Sequence, residues 1–228
     1  MLFVAEIGLN HEGNFDLALE LIRQAKISGA DIAKFQLGWR DKPDEINNIS
    51  YDVAKDLKEF CEYSEIEFMS SIITPKAFEL ASKLDFKRIK IASRTVVDDP
   101  KLCEEIISTG KEVFCSLGFW DGDDFPFGPP NEKLRYIHCI SNYPNKPQDL
   151  ARMPKIFSSE GHYGYSDHFL GNSASYLAIS RGAKFIEKHL TLNKASQTIR
   201  DHTLSITPHE FKELVDVGSE ISKIHPYL

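Results

Sequence analysis

The feature that most limits the fold of this chain is an eightfold alternation of short apolar runs with longer amphipathic stretches. The runs are 2–8 (LFVAEIG), 31–36 (DIAKFQ), 66–72 (IEFMSSI), 88–93 (RIKIAS), 112–117 (EVFCSL), 134–140 (LRYIHCI), 162–167 (HYGYSD) and 183–190 (AKFIEKHL). Between them lie segments such as FDLALELIRQAKISG, in which Leu17, Leu21 and Ala25 recur at helical spacing. Gly29, Gly110 and Gly182 stand at expected helix stops, and Pro75, Pro100 and Pro208 at expected helix starts. Strands alternating with helices describe a parallel α/β fold. A doubly wound open sheet shares the pattern, but eight repeats and the lack of a glycine-rich phosphate loop favour a (β/α)₈ TIM barrel. One link breaks the rhythm: GFWDGDDFPFGPPNEK (118–133) is dense in Gly, Pro and Asp, so the fifth helix is expected to be reduced or missing. No linker-like tract divides the chain, which reads as one domain over 1–228.

Composition excludes several functions. With 42% hydrophobic and 27% charged residues and a formal net charge of −7, the chain is neither disordered nor built to bind nucleic acid through a basic face. Four cysteines without a CxxC pair fit a reducing, cytoplasmic setting. The first apolar run is too short for a signal peptide or a membrane span.

In a parallel barrel the active site forms at the carboxyl ends of the strands. Polar residues gather there: Glu6 and Asn10, Lys34 and Gln36, Thr74, Lys90 and Ser93, Ser116, Ser141, Ser166 and His168, Glu187 and His189. Lys34 and Gln36 are two apart, so they share a face, which is the interior if Ala33 and Phe35 pack outward. An interior lysine needs an anion, either a carboxylate such as Glu6 or a bound substrate, and both readings stand on this residue alone. Lys90 repeats the situation. His168 and His189 end neighbouring strands and could reach one metal ion, Mn²⁺ or Mg²⁺ where oxygen donors complete the shell, or they could be ordinary core histidines. GxSxG, Walker, GxGxxG and HExxH motifs are absent.

The blocks AEIGLNHEGNFDLALELIRQAKISGADIAKFQ (5–36), IKIAS (89–93), HCISNYPNKPQDL (138–150), GYSDHFLG (164–171) and AKFIEKHLTL (183–192) resemble, in order, those of the sialic acid (N-acetylneuraminate) synthase family, over residues 1 to about 217. The resemblance implies a TIM-barrel transferase that condenses phosphoenolpyruvate with N-acetylmannosamine or a related acetamido sugar, giving a nonulosonate and phosphate. It implies His168 and His189 as metal ligands and Glu6 as a catalytic carboxylate. Lys34, Lys90, Ser93, Ser116 and Ser141 would hold the phosphate and carboxylate, with Tyr143, Ser166 and Asp201 at further substrate positions. Asn10, Gln36 and Thr74 complete the expected binding set.

Departures from the family pattern fall on the sugar side. They are Ser116-Leu117-Gly118 for Ser-Thr-Gly, Phe169 for a Thr, and Ile199-Arg200-Asp201-His202 for Gly-Pro-Asp-His. Because the sequence ends at Leu228, the expectation is the barrel without the family's C-terminal antifreeze-like domain. The expected partners are a second copy of the chain, as a homodimer, or a separate polypeptide that supplies that domain, and Arg94 or Arg200 is a candidate to replace the arginine it carries. A non-catalytic or differently specialised metal-binding barrel is the competing reading.

Overall fold

A computed structural model describes residues 1–39, 42 and 44–225. Eight parallel strands close into a barrel in sequence order: β1 (Leu2–Gly8), β2 (Ile32–Leu37), β3 (Glu67–Ile72), β4 (Arg88–Ile91), β5 (Glu112–Ser116), β6 (Leu134–Cys139), β7 (His162–Asp167) and β8 (Phe185–His189). Around it lie α1 (Phe15–Ile27), α2 (Tyr51–Tyr63), α3 (Pro75–Lys83), α4 (Ser93–Asp98), α5 (Pro100–Ser108), α6 (Ser173–Ser180) and α7 (Pro208–Ile224). The TIM-barrel expectation holds. Prolines open α3, α5 and α7 at their first helical turn, where a missing N–H costs nothing.

Strand alternation sorts the side chains into two regions. Ala5, Ile7, Ala33, Phe35, Phe68, Ile72, Cys115, Tyr136, Tyr165 and Ile186 face outward and join the helix-packed core. Inward-facing residues stack in layers. At the amino-terminal mouth, Arg88 Nη1 donates to Glu67 at 2.8 Å, Arg88 Nε to Glu112 at 2.7 Å, and Arg135 Nε to Glu112 at 3.1 Å. Above that ion-paired layer, Val4, Ile32, Met69, Phe114, Ile137 and Phe185 form an apolar plug. The third layer, at the carboxyl ends, is polar and carries the site.

As expected, no α-helix follows β5 among the described residues. Its place is taken by aromatic packing: Phe125 stacks on Tyr136 at 4.3 Å between centroids, and the Tyr136 hydroxyl donates to Gly128 O at 2.9 Å. The sixth helix is also lost, which the alternation did not suggest. A 3₁₀ turn at Pro147–Arg152 stands there instead. Pro144, Pro147 and Pro154 remove backbone donors that an α-helix would need.

Gly164 brings β7 against β8. A Cβ at that position would collide with the Phe185 backbone carbonyl and its Cβ. Gly164→Ala is therefore expected to destabilise the fold by about 1–3 kcal/mol, because the clash is with backbone that cannot rotate away. Urea unfolding of the variant measures it; a midpoint equal to wild type would show that the two strands can separate freely.

Candidate active site

The polar layer opens into a cavity of about 400 Å³, a size suited to a small-molecule substrate. Of the residues picked out from the sequence, Glu6, Lys34, Gln36, Lys90, Ser93, Ser116, Ser141, Tyr143, Ser166, His168, His189 and Asp201 all line it. Two do not. Thr74 caps α3, its hydroxyl accepting from Ala77 N at 3.2 Å, and so is directed away from the cavity. Asn10 is buried, and its amide donates to Leu190 O at 2.8 Å and to Ser205 Oγ at 2.9 Å, tying loops together. Both stand after strand ends, but backbone donors and acceptors claim them.

Register explains how the ionic groups meet. Glu6 lies opposite Lys34 on β2 and opposite His189 on β8, while Ser166 on β7 lies opposite Glu187. Lys34 Nζ is 2.6 Å from Glu6 Oε2 and 3.6 Å from Glu187 Oε2, and it donates to Ser71 Oγ at 3.1 Å. Lys90 Nζ lies 3.2 Å from Glu187, whose other oxygen accepts from Ser166 Oγ at 2.7 Å. Lys34 thus stands between two buried carboxylates and Lys90 against one of them, so the Lys34–Glu6 ion pair is real and the lysines also face the cavity. Gln36 donates to Glu6 Oε1 at 2.8 Å.

The two carboxylates differ electrostatically. Burial pushes Glu6 up to about 7 against the pull of Lys34, and the charge of Glu187 adds to the rise. Glu187 is held down at about 2: burial opposes its ionisation, but Lys34, Lys90, the Ser166 hydroxyl and His189 outweigh it. Near neutrality Glu6 shares its site with a proton, while Lys34 keeps its own: burial opposes its charge, but Glu187 and Glu6 outweigh that and raise it above the usual lysine value. The cavity therefore carries a positive bias suited to an anion.

Several buried polar atoms here have no partner within the protein: Thr95 Oγ1, Ser116 Oγ, Ser141 Oγ and His189 Nδ1. Buried polar atoms are normally satisfied, so the three hydroxyls, which stand at or just after the ends of β4, β5 and β6 on one wall, mark where a ligand's acceptors belong. Gly118 completes that wall. Its N–H donates to Ser93 Oγ at 2.9 Å, and a Cβ there would sit 3.0 Å from Ser93 Oγ and Cys139 Sγ.

His168 and His189 face each other with ring centroids 5.5 Å apart. His168 Nδ1 lies 3.1 Å from the Ile140 carbonyl, which fixes the proton on Nδ1 and leaves the lone pair on Nε2. Tyr143 packs on this ring at 4.2 Å between centroids. Asn145 holds the intervening loop, its N–H donating to His168 O at 2.9 Å and its amide to Ile140 O at 2.9 Å. Burial lowers His189 below the usual imidazole value, although Asp201 opposes it, so the ring stays neutral, the form that binds metals. Two neighbouring imidazoles, His168 with its Nε2 lone pair and His189 with a partnerless Nδ1, have the donor chemistry that fits a divalent ion. No cluster of three or more His, Cys, Asp or Glu ligands exists among the described residues.

Cys139 is a cavity residue that the strand pattern did not single out. It lines the cavity, its Sγ 3.8 Å from His168 Nδ1. Burial resists its ionisation, but His168, Lys90 and Ser93 outweigh that and hold it below the usual thiol value. Its alternation with Ile137 on β6 was the available signal. Arg94, Phe119 and Trp39 also line the mouth; Arg94 stacks over Phe119 at 4.1 Å, and Arg200 over Tyr143 at 4.1 Å.

A closed eight-stranded barrel with buried lysines and paired histidines at its carboxyl-terminal mouth defines a TIM-barrel enzyme. The NeuB family profile matches residues 44–226, and the chain belongs to that family. It is 30% identical to the human N-acetylneuraminate-9-phosphate synthase, over 93% of this chain and 67% of that protein. It is 34% identical to a protein of uncharacterised function from Methanocaldococcus jannaschii, over 93% of this chain and 68% of that one. Among solved structures, an N-acetylneuraminic acid synthetase from Leptospira borgpetersenii superposes with a TM-score of 0.84 at 27% identity, covering 98% of this chain and 84% of the other. No helix among the described residues is long and apolar enough to cross a membrane.

Proposed function

We propose that this barrel condenses phosphoenolpyruvate with the aldehyde of an acetamido sugar, N-acetylmannosamine or a close relative, releasing phosphate and a nonulosonate. The observation that carries this reading is the shared cavity: two buried lysines and partnerless hydroxyls on one side, two facing imidazoles on the other. Family membership and the named synthases among its relatives support it.

Lys34 and Lys90 bind the anionic groups of the enol ester, and Ser93, Ser116 and Ser141 donate to its oxygens. Their contribution is positioning, which brings the methylene carbon against the aldehyde. A Mn²⁺ or Mg²⁺ ion held by His168 and His189 would supply Lewis acidity toward the aldehyde oxygen. As the new carbon–carbon bond forms, the aldehyde oxygen gains a proton and the phosphate-bearing carbon becomes electron-poor. Water adds at that carbon and loses one proton; as the carbon–oxygen bond to phosphate then breaks, the new hydroxyl gives its remaining proton to the departing phosphate and becomes the keto oxygen. Glu6 is the base placed to orient that water and take its proton. Tyr143, Arg200 and Asp201 form the wall beside the histidines, where the acceptor sugar sits. A non-catalytic scaffold would gain nothing from a buried cavity of partnerless donors.

The direct test is phosphate release in reactions lacking one component at a time. Release is expected only with phosphoenolpyruvate, Mn²⁺ or Mg²⁺, and an acetamido-hexose together; silence across a broad aldose panel would overturn the reading.

Glu6 gives a pH signature. As a base it works once deprotonated, so turnover should rise with pH through about 7, and Glu6→Gln should flatten that limb. Stability runs the other way. A carboxyl raised from 4.5 to about 7 in the fold contributes stability fully present below 4.5 and lost as pH rises through about 7. Thermal melts of wild type and Glu6→Gln across pH 4–8 check the sign: the wild type should lose stability relative to the variant over that window.

A further inference from the structure

The chain between β8 and α7 brings Arg200 and Asp201 to the cavity mouth, yet beyond a 3₁₀ turn at Arg200–Thr203 it has little regular structure of its own. It is fixed by contacts to the loop after β1. His202 is 2% exposed; its Nδ1 lies 2.7 Å from Thr191 Oγ1, and its Nε2 lies 2.8 Å from Glu12 Oε1, a close polar contact without the alignment of a hydrogen bond. Glu12 Oε1 also accepts from Ser196 Oγ at 2.8 Å, and that oxygen lies 2.8 Å from Thr198 Oγ1. Ser205 Oγ donates to Asp201 O at 2.6 Å and is itself held by Asn10.

Glu12 reaches these partners from a left-handed backbone, φ +53°, which a residue with a Cβ adopts at a cost of roughly 1–2 kcal/mol. Such strain persists only where surrounding contacts over-determine it. Neither Glu12 nor His202 lines the cavity, so neither touches a substrate there.

We infer that Glu12 and His202 are positioning residues, a latch between the loops after β1 and β8 that holds Arg200 and Asp201 against the acceptor. The inference rests on the synthase reading for the acceptor's place, but the latch itself does not. Because the enol ester is held from β2, β4, β5 and β6, opening the latch should affect one substrate and spare the other.

Glu12→Ala removes the latch; Glu12→Gly removes it while relieving the φ strain, which protects the fold; Glu12→Gln keeps an acceptor for Ser196. In both Ala and Gly variants, amides of residues 195–204 should exchange with deuterium about tenfold faster or more, with barrel strands unchanged. KM for the acceptor should rise about tenfold while KM for phosphoenolpyruvate stays within about twofold, and Glu12→Gln should recover most of both effects. Unchanged loop exchange in Glu12→Gly overturns the latch. So do KM values that rise together or stay fixed. If wild type turns over no acceptor at all, the synthase reading falls, and the exchange result alone decides the latch.

Discussion

Lys34→Met is expected to reduce phosphate release by about 10³-fold or more, the largest effect of any single change in this cavity. Methionine keeps the length of the stem but removes the ammonium group that stands between Glu6 and Glu187 at 2.6 and 3.6 Å. Two consequences follow. The anionic substrate loses one of its two buried cations, and the carboxylates lose the charge that separates them. Breaking a buried pair typically destabilises by about 3–5 kcal/mol, because the remaining charge is left uncompensated. Lys90 still neutralises Glu187, so the burden falls on Glu6. With its main opposing influence gone, Glu6 should hold its proton to still higher pH, moving the alkaline rise in residual activity upward. Steady-state rates across pH 6–9, with melts of the same samples, measure both. A variant with wild-type KM for phosphoenolpyruvate would show that Lys34 is only a structural partner of Glu6.

The second large effect belongs to the histidine pair. His189→Ala should lower turnover by about 10³-fold and abolish stabilisation by Mn²⁺, which for a saturating ion at one hundred times its Kd is worth about 2.7 kcal/mol. The neutral, buried ring has an Nδ1 with no partner in the protein, so its removal deletes a ligand rather than a hydrogen bond. Phosphoenolpyruvate should still raise the melting temperature of this variant, since Lys34 and Lys90 are untouched. That retained shift separates loss of the ion from loss of the fold. Wild-type Mn²⁺ stabilisation in His189→Ala would remove the histidine from the metal site.

The strand framework was legible because period-two alternation and flanking glycines and prolines act locally. Every strand lies within two residues of its expected limits. The missing fifth helix was equally legible from 118–133. The sixth was not foreseen, because the regular alternation masked Pro144, Pro147 and Pro154, which carried the same message. In the site, alternation gave the faces of Lys34, Lys90 and Glu187 but no distances. That one carboxylate serves both lysines depends on barrel closure, which brings β8 across from β4. Thr74 and Asn10 show the converse error. A polar side chain at a strand end is a candidate ligand only after backbone needs are met, and Thr74 precedes Pro75 in a helix-start signature that claims its hydroxyl. Cys139 escaped notice because thiols are usually read as small apolar groups.

A crystal of the protein grown with Mn²⁺ and phosphoenolpyruvate bears most directly on whether one mouth serves both groups. Anomalous scattering is expected to place the ion within bonding distance of nitrogens from both His168 and His189, with the enol ester's anionic groups on Lys34 and Lys90 in the same cavity. An ion bound elsewhere, or an enol ester seated away from those lysines, would contradict it.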